Sequence, residues 1–188
     1  MSESEQQRLD GVSVGILLAP EGSEEVEFVE PRDALTDAGA DVEVLGPETG
    51  EVQTVNNDLE ESDTYEVERD IAEASPDDYD ALVVPGGTVG ADKLRADEET
   101  VQFLSEHVEA GKPVGVICHG PWTLVEADLA EGRTLTSYSS LETDVENAGG
   151  EWVDEEVVVD DGVITSRNPD DLDAFCETLV EEFADAAA

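Results

Sequence analysis

The sequence predicts an α/β fold in which a mostly parallel sheet carries helices on both faces. Short apolar runs such as residues 12–18, 81–84 and 113–117 have the length and composition of buried strands. Between them lie segments whose apolar residues recur at helical spacing. The alternation of the two patterns is typical of strand–helix–strand units with right-handed crossovers.

The first half of the chain contains two predicted strands, one predicted helix and a stretch without a clear pattern. We expect Pro31 to kink or restart the helix and Gly39 to end it. The polar stretch predicts a loop with a short strand and a helical turn. The predicted elements are a strand at 12–18, a helix at 24–38, a strand at 41–45, a turn at 46–50 and the polar stretch at 56–74.

The second half continues this alternation and ends in an amphipathic helix. Leu172, Phe175 and Leu179 form part of an apolar stripe on that helix, which we expect to pack on the sheet. Pro121 suits the first turn of the helix that follows the strand at 113–117. The predicted elements are strands at 80–84, 113–117, 134–136, 156–159 and 163–166, and helices at 97–110, 121–127, 140–148 and 171–183.

The length of 188 residues suits one domain with a sizeable core. Residues 1–10 are polar and are predicted to be a mobile tail, so the single α/β domain is expected to span residues 11–188. In such a fold a ligand site forms beyond the carboxyl ends of the strands. Residues 85–87 and 118–120 are both expected at that edge.

The charge balance excludes whole classes of partner. Eight Lys and Arg residues face 50 Asp and Glu residues, which leaves a net charge of −42. Such a charge repels nucleic acids and anionic membranes, so neither is an expected partner. The chain has only two lysines, Lys93 and Lys112, and this resembles the surface of a halophile protein. Because concentrated salt screens surface carboxylates from one another, we expect folding to depend on salt.

The expected compartment is the cytoplasm. No apolar run approaches the ~18 residues that span a bilayer, and the first ten residues lack the regions of a signal peptide. The two cysteines cannot form a disulfide framework, so thiol chemistry or burial are the alternatives for them. The sequence predicts neither a metal site nor a cofactor, and the expected partner is a small-molecule or peptide substrate.

The segment 115–122, with the sequence GVICHGPW, places the thiol of Cys118 at a predicted strand-to-helix turn. Such a turn is a nucleophile elbow, in which the backbone has little room and Gly120 relieves the crowding. Amides at the start of the following helix favour a thiolate and supply donors for an oxyanion. The alternative is that Cys118 is a small buried hydrophobic residue, although the adjacent His119 favours the catalytic interpretation.

Two other segments are candidates for the same site. Gly86 and Gly87 follow a buried strand, and their amides can approach a ligand as in an oxyanion hole, although a tight turn alone accounts for them. Glu24 and Glu27 lie three residues apart at a helix start and share a face, which makes each a candidate to face Cys118. In a chain with 50 acidic residues, a solvated surface position is the alternative.

The second cysteine and the second histidine are predicted to be structural. Cys176 lies on the apolar stripe of the last helix, so we expect it to pack against other apolar residues. His107 lies on a helix between charged neighbours, so we expect it to face solvent.

Several motifs, in order along the chain, closely resemble the PfpI intracellular protease family. The resemblance extends over residues 12–183 and implies a flavodoxin-like three-layer sandwich. It places the chain in the class I glutamine amidotransferase-like superfamily, alongside the parkinsonism-associated deglycase group. The motifs are VVPGG at 83–87, GKPV at 111–114, CHGPW at 118–122, NAGGEWVD at 147–154 and TSR at 165–167.

The resemblance also implies roles for individual residues. Cys118 would be the nucleophile, His119 its acid and base, and Glu27 rather than Glu24 the carboxylate that contacts the thiol. Gly87 and the amide of Cys118 or His119 would line the oxyanion hole, with Tyr138 near the pocket. A Glu27 beside a thiolate must keep its own proton, and we expect burial and the sulfur to raise its pKa.

A further implication of the resemblance is an oligomeric site. In protease-like members a carboxylate of a neighbouring subunit orients the histidine, and Asp92 occupies that motif position. The chain would then be a homo-oligomer, either a dimer or a hexamer built from smaller units. Two features depart from the pattern: Asp92 is shorter than a glutamate and follows an apparent extra residue, and Val116 stands where the amidotransferase elbow has glycine, which disfavours glutamine hydrolysis.

The sequence is compatible with three classes of function. The first is a cysteine-dependent enzyme, either a peptidase or amidase, or a glyoxalase or protein deglycase that acts on α-oxoaldehydes and their adducts. The second is a non-enzymatic redox sensor or chaperone-like stress protein that uses oxidation of Cys118. The third is an amidotransferase subunit that would show glutaminase activity with a synthetase partner.

Overall fold

The computed structural model describes residues 8–188, and no helix within that range is long and apolar enough to cross a membrane. The strands are β1 (Ser13–Leu17), β2 (Glu21–Glu24), β3 (Asp41–Gly46), β4 (Gly50–Asn56), β5 (Glu60–Val67), β6 (Arg69–Asp70), β7 (Ala81–Val84), β8 (Val114–Ile117), β9 (Thr134–Leu135), β10 (Glu151–Trp152), β11 (Val158–Asp160) and β12 (Val163–Ser166). The helices are α1 (Glu25–Asp37), α2 (Thr88–Ala96), α3 (Glu98–Glu109), α4 (Pro121–Glu126), α5 (Glu142–Asn147) and α6 (Leu172–Ala187).

The central sheet has seven strands in the order β11-β12-β8-β7-β1-β3-β6. Its neighbouring strands are parallel except for β11 and β12, which pair antiparallel. Counted along the chain, β3, β1, β7, β8 and β12 follow the 2-1-3-4-5 order of flavodoxin-like folds. The predicted fold class is therefore confirmed.

Apolar cores lie on both faces of this sheet. Val14 and Ile16 of β1 belong to the core beneath α1 and α6, whereas Leu17 belongs to the core beneath α3 and α4. Successive strand residues point to opposite faces, so an uninterrupted apolar run is what a sheet covered on both sides requires. Complete burial of each large apolar side chain contributes about 1.5–3 kcal/mol to folding.

A second, three-stranded sheet was not predicted. It has the order β2-β4-β5, with β2 parallel to β4, and β4 and β5 forming an antiparallel hairpin. Most residues of β5 are exposed, so its sequence has neither a continuous apolar run nor regular alternation. The polar stretch at 56–74, predicted as a loop with a short strand and a helical turn, contains the outer strand β5 of this hairpin and a helical turn at Ile71–Glu73.

Two further elements of the structure, α2 and β10, were not predicted. Helix α2 begins directly after Gly87, in a segment for which no element was predicted, and Leu94 is its one large, fully buried apolar residue. Strand β9, predicted as part of the alternation, pairs with the unpredicted strand β10 in a separate two-stranded sheet. Strands of two residues carry too few side chains for a period-2 pattern to be recognised.

The predictions for the chain start and for His107 also change. Residues 1–7 lie outside the described range, but Leu9 is fully buried and its amide donates to Ala38 O at 2.8 Å, so the predicted tail is wrong there. His107 is fully buried rather than solvent-facing, because it shares the inner stripe of α3 with Phe103 and Leu104. Its Nε2 lies 3.0 Å from Pro113 O.

Candidate active site

Cys118 lies at a sharp turn between β8 and α4. Its φ of 62° is in the left-handed region, which side-chain-bearing residues rarely adopt. The Cys118 amide donates to Ser166 O at 3.0 Å on the neighbouring strand β12, so the sheet holds the strained residue in place. A Cβ atom at Gly120 would lie 2.8 Å from Ile117 O, which is why the turn requires glycine there. This geometry is that of a nucleophile elbow.

The loop after β7 faces this elbow and leaves no room for side chains. A Cβ atom at Gly86 would lie 2.5 Å from Glu27 Oε1 and 2.7 Å from the Cβ atom of Cys118. Gly87 has a φ of 90°, and a Cβ atom there would collide with the carbonyl of Gly22. The two glycines therefore let the backbone of this loop approach the thiol, at the edge where β1 and β7 form the switch point of the sheet.

The sulfur of Cys118 is buried but has polar neighbours. Cys118 is 6% exposed as a residue, and its Sγ lies 3.2 Å from Nδ1 of His119. Burial raises the pKa of the thiol and the charge of Glu27 raises it further, whereas the amides of Gly87 and His119 lower it. The expectation that the turn ionises the thiol is corrected, because burial outweighs the two amides. Ionisation then has to accompany reaction, with His119 as the nearest base.

Glu27 is fully buried beside the thiol. Neither carboxylate oxygen has a hydrogen-bond partner of regular geometry, although Cys118 and the amide of Gly86 approach it closely enough to lower its pKa. Burial, followed by the charge of Glu24, outweighs both and raises the pKa of Glu27 to about 8. The predicted rise in the pKa of Glu27 is therefore present, but the sulfur lowers this pKa instead of raising it. Glu27 is therefore mostly protonated at neutral pH and can donate to the sulfur.

The imidazole of His119 is enclosed by three side chains. Its ring stacks on Tyr138 with centroids 4.6 Å apart, meets the edge of Trp122 at 5.2 Å, and has Nε2 3.2 Å from Thr88 Oγ1. Burial lowers the pKa of His119, while the nearby charge of Asp58 raises it. A neutral imidazole next to a protonated thiol is the arrangement that general-base activation of the thiol needs.

Asp58 and Thr88 are site residues that sequence reasoning missed. Asp58 lies in the turn between β4 and β5 and accepts from the Thr88 amide at 2.7 Å and from the Thr88 hydroxyl at 3.0 Å. Only the folded hairpin brings the loop carboxylate to the start of α2. The one available signal was the Asn57-Asp58 pair, since Asn and Asp tolerate the left-handed backbone of tight hairpin turns.

Glu24 contacts this hairpin turn and not the sulfur. Its carboxylate accepts from the amide of Asn57 at 2.6 Å and from that of Asp58 at 3.1 Å. Burial raises the pKa of Glu24, while the same two amides lower it. The structure therefore brings both predicted glutamates to the site but gives them different neighbours.

Asp92 lies on the exposed face of α2 and, within residues 8–188, forms no hydrogen bond with His119. Its predicted contact with the histidine of a neighbouring subunit stays a prediction. The amide of Cys118, one of the two proposed oxyanion donors at the elbow, is occupied by Ser166 O. The amides of Gly87 and His119, which lie close enough to the sulfur to lower the pKa of the thiol, remain the candidate oxyanion donors.

A pocket of about 230 Å³ opens above the thiol. A larger cavity of about 400 Å³ lies between α1 and α6 beside Cys176, and it contains none of the predicted catalytic residues. Within residues 8–188, no three His, Cys, Asp or Glu side chains are grouped as ligands of a metal ion would be. The pocket over the thiol is lined by Glu24, Glu27, Asn57, Asp58, Cys118, Tyr138 and Pro169.

Comparison with known proteins shows which family the chain is related to. The sequence model of the DJ-1/PfpI family matches residues 12–182. An uncharacterised protein of Staphylococcus epidermidis is 40% identical over 173 residues, which cover 90% of this chain and 96% of the relative. The chain belongs to the DJ-1/PfpI family. The resemblance carried by the elbow and glycine motifs is thus confirmed at the level of the family.

Solved structures of DJ-1/PfpI proteins share the fold. Drosophila melanogaster DJ-1beta superposes with a TM-score of 0.82 at 31% identity, over 92% of this chain and 90% of that one. A two-domain Anabaena variabilis protein with DJ-1/ThiJ/PfpI-like and ferritin-like domains gives 0.84 at 33% identity. The match covers 93% of this chain but only 54% of that protein. The family includes enzymes such as proteases and deglycases.

Proposed function

We propose that this protein is an enzyme that uses Cys118 as a nucleophile against a carbonyl carbon. The observation that carries the proposal is the 3.2 Å contact between the sulfur and Nδ1 of a neutral histidine, at the floor of an open pocket. A thiol whose pKa is raised by burial needs such a base, because it is not ionised beforehand.

The first chemical step uses His119 and two backbone amides. As Sγ bonds to the carbonyl carbon, its proton passes to Nδ1 of His119, and the carbonyl oxygen becomes an oxyanion. The amides of Gly87 and His119 are directed to the thiol region and stabilise that charge. The neutral carboxyl of Glu27 adds a donor on the buried side without introducing a second negative charge.

The later steps depend on the substrate. With an amide, the adduct expels an amine that takes the proton from His119, and water then hydrolyses the thioester. With an α-oxoaldehyde, the adduct is a hemithioacetal. Transfer of its C1 proton to the neighbouring carbon gives the thioester of a 2-hydroxy acid, which water hydrolyses. One carbon is oxidised as its neighbour is reduced, so no external oxidant is required.

The pocket favours the smaller substrate. Its volume of about 230 Å³ lies below the ~300–1,000 Å³ typical of sites for drug-sized ligands. An α-oxoaldehyde, or its adduct on an amine, therefore fits better than an extended peptide. We accordingly assign glyoxalase or deglycase activity first and peptidase or amidase activity second.

The test compares turnover of methylglyoxal and of a peptide amide by the full chain in multimolar KCl. We expect turnover of at least one substrate, with methylglyoxal preferred, and its loss in Cys118→Ser. Mass spectrometry after mild peroxide is run in parallel. Oxidation of Cys118 without turnover of either substrate would contradict the enzymatic proposal and favour a redox sensor, whereas glutaminase activity alone would favour an amidotransferase subunit.

We also propose that the enzyme works as a homo-oligomer in the salt-rich cytoplasm of a halophile. The net charge of −42 supports the halophile, because high salt would screen it. The oligomer is supported by the family resemblance, in which a neighbouring subunit's carboxylate at the position of Asp92 orients the histidine. Light scattering in multimolar KCl tests the oligomer, and a monomeric mass at catalytic concentrations would contradict it.

A further inference from the structure

A chain of contacts joins the tip of the β4–β5 hairpin to the thiol. Asp58 Oδ2 lies 3.0 Å from Thr88 Oγ1, which in turn lies 3.2 Å from Nε2 of His119. The opposite ring nitrogen, Nδ1, lies 3.2 Å from Sγ of Cys118. Four residues from three separate segments therefore form one continuous chain of contacts.

The chemistry of these groups fixes where each proton lies. An ionised carboxylate only accepts hydrogen bonds, and a threonine hydroxyl has a single proton to donate. Because Thr88 donates that proton to Asp58, its oxygen faces the histidine as an acceptor. Nε2 of His119 must then carry the ring proton, which leaves Nδ1 with a free lone pair directed at the thiol.

We propose that Asp58 and Thr88 are positioning residues that hold His119 as the Nε2–H tautomer, so that Nδ1 serves as the base for Cys118. The inference rests on the proposed function in one respect: a base is needed at this place because Cys118 is proposed to react as a nucleophile. It also supplies the orienting carboxylate from within the same chain, whereas the family resemblance suggested Asp92 of a neighbouring subunit.

The hairpin turn is built to deliver Asp58 to this place. Asn57 and Asp58 have φ values of 52° and 64°, and the Leu59 amide donates to Asn56 O at 3.3 Å, which together make a tight turn. Glu24 holds the turn through the amides of Asn57 and Asp58. Asn and Asp adopt this left-handed backbone more readily than most other residues, and the contacts with Glu24 and Thr88 fix the turn against its neighbours.

A purely structural role for Asp58 is the competing explanation. Its Oδ1 accepts from the Thr88 amide at the first turn of α2, so it also acts as a helix cap. A cap would affect stability and leave the protonation of the imidazole unchanged. The two roles are separated by reading the tautomer of His119 directly.

Three variants and one control separate the positioning role from the structural role. Thr88→Val removes the hydroxyl with little change in shape, and Thr88→Ser restores it. Asp58→Asn removes the charge but keeps an oxygen for the Thr88 amide. Glu25→Gln is the control. Glu25 accepts from Ser62 and Asp63 of the same hairpin, so this substitution removes an equal charge at a position away from the histidine.

The experiment uses the full chain labelled with ¹⁵N-histidine in multimolar KCl. The chain has two histidines, so His107 serves as an internal reference for correct folding. We expect His119 to show a protonated Nε2 and a bare Nδ1 in the unmodified protein, in Thr88→Ser and in Glu25→Gln. We expect mixed tautomers in Thr88→Val and Asp58→Asn.

The same variants are compared for the pH dependence of Cys118 alkylation by iodoacetamide, which needs no substrate. The titratable groups around the His119 ring are Asp58, Cys118 and Tyr138, with Glu24 and Glu27 across the pocket. Because the charge of Asp58 raises the pKa of His119, Asp58→Asn should move the acidic midpoint of alkylation to lower pH.

We expect the alkylation rate at neutral pH to fall about 10–100-fold in Thr88→Val and to recover in Thr88→Ser, by analogy with metal-binding histidines that lose an orienting partner. A protonated Nδ1 in the unmodified protein would overturn the inference. Alkylation rates and tautomers that are unchanged in Thr88→Val and Asp58→Asn would also overturn it. A fall in the alkylation rate that occurs only in Asp92→Asn would do the same. These outcomes do not depend on turnover, so they are distinct from a failure of the proposed function.

Discussion

The ring of His119 stacks on the ring of Tyr138 at a centroid distance of 4.6 Å, with the planes inclined by 24°. The amide of Tyr138 donates to Cys118 O at 2.8 Å, so the aromatic ring is anchored to the elbow itself. The stack therefore limits rotation of the imidazole about the axis that would carry Nδ1 away from the sulfur. Tyr138 is 42% exposed, so the same ring also borders the pocket entrance.

Removing this stack should weaken the base without unfolding the protein. Aromatic pairs contribute about 0.5–1.5 kcal/mol beyond their buried area, which corresponds to a ~2–12-fold change. We expect Tyr138→Ala to lower the Cys118 alkylation rate by that factor and Tyr138→Phe to leave it nearly unchanged. A large loss in Tyr138→Phe would instead assign a role to the hydroxyl.

The second prediction concerns the proton on Glu27. Because burial raises the pKa of Glu27 to about 8, Glu27→Gln mimics its protonated state and keeps a donor beside the sulfur. We expect Glu27→Gln to retain faster alkylation of Cys118 than Glu27→Ala, measured at neutral pH. Equal rates in the two variants would show that no donor from this position acts on the thiol.

The same carboxyl should make stability depend on pH. Its pKa is raised from 4.5 to about 8, so the folded protein binds a proton that the unfolded chain releases between those values. Stability is therefore greatest below about pH 4.5 for this group and falls as the pH rises to about 8, by at most about 1.4 kcal/mol per pH unit. Denaturant unfolding in multimolar KCl measures the slope, which Glu27→Gln should reduce. A slope unchanged in that variant would contradict the assignment.

Salt should affect the whole molecule. At ~1 M salt the Debye length is about 3 Å, against about 30 Å at 0.01 M, so repulsion among surface carboxylates nearly disappears. We expect a higher melting temperature and faster Cys118 alkylation in multimolar KCl than in dilute buffer. Equal melting temperatures in the two conditions would count against a surface adapted to salt.

The sequence was most informative where side chains are buried on both sides. Strands β1, β7 and β8 are short apolar runs, and the elbow between β8 and α4 follows from Cys118, Gly120 and Pro121. These features depend on local composition, so pattern and turn chemistry are sufficient to find them. The places of Tyr138 and Glu27 came from the family resemblance, because spacing alone does not distinguish Glu27 from the other acidic residues.

What the sequence did not predict depends on contacts between distant segments. The outer strand β5 is mostly exposed and polar, so it carries no apolar period. Asp58 reaches Thr88 only once that hairpin has folded, across 30 positions of the chain. His107 looked solvent-facing because of its charged sequence neighbours, yet the helical period directs it inward.

The most direct test of the account is where a substrate becomes bonded. The protein, Cys118→Ser and Cys176→Ser are each quenched during turnover of methylglyoxal and analysed by peptide mass spectrometry. We expect a substrate-derived adduct on Cys118 in the unmodified protein and in Cys176→Ser, with neither adduct nor turnover in Cys118→Ser. Turnover that persists in Cys118→Ser, or an adduct carried by Cys176 alone, would contradict the assignment of Cys118 as the nucleophile.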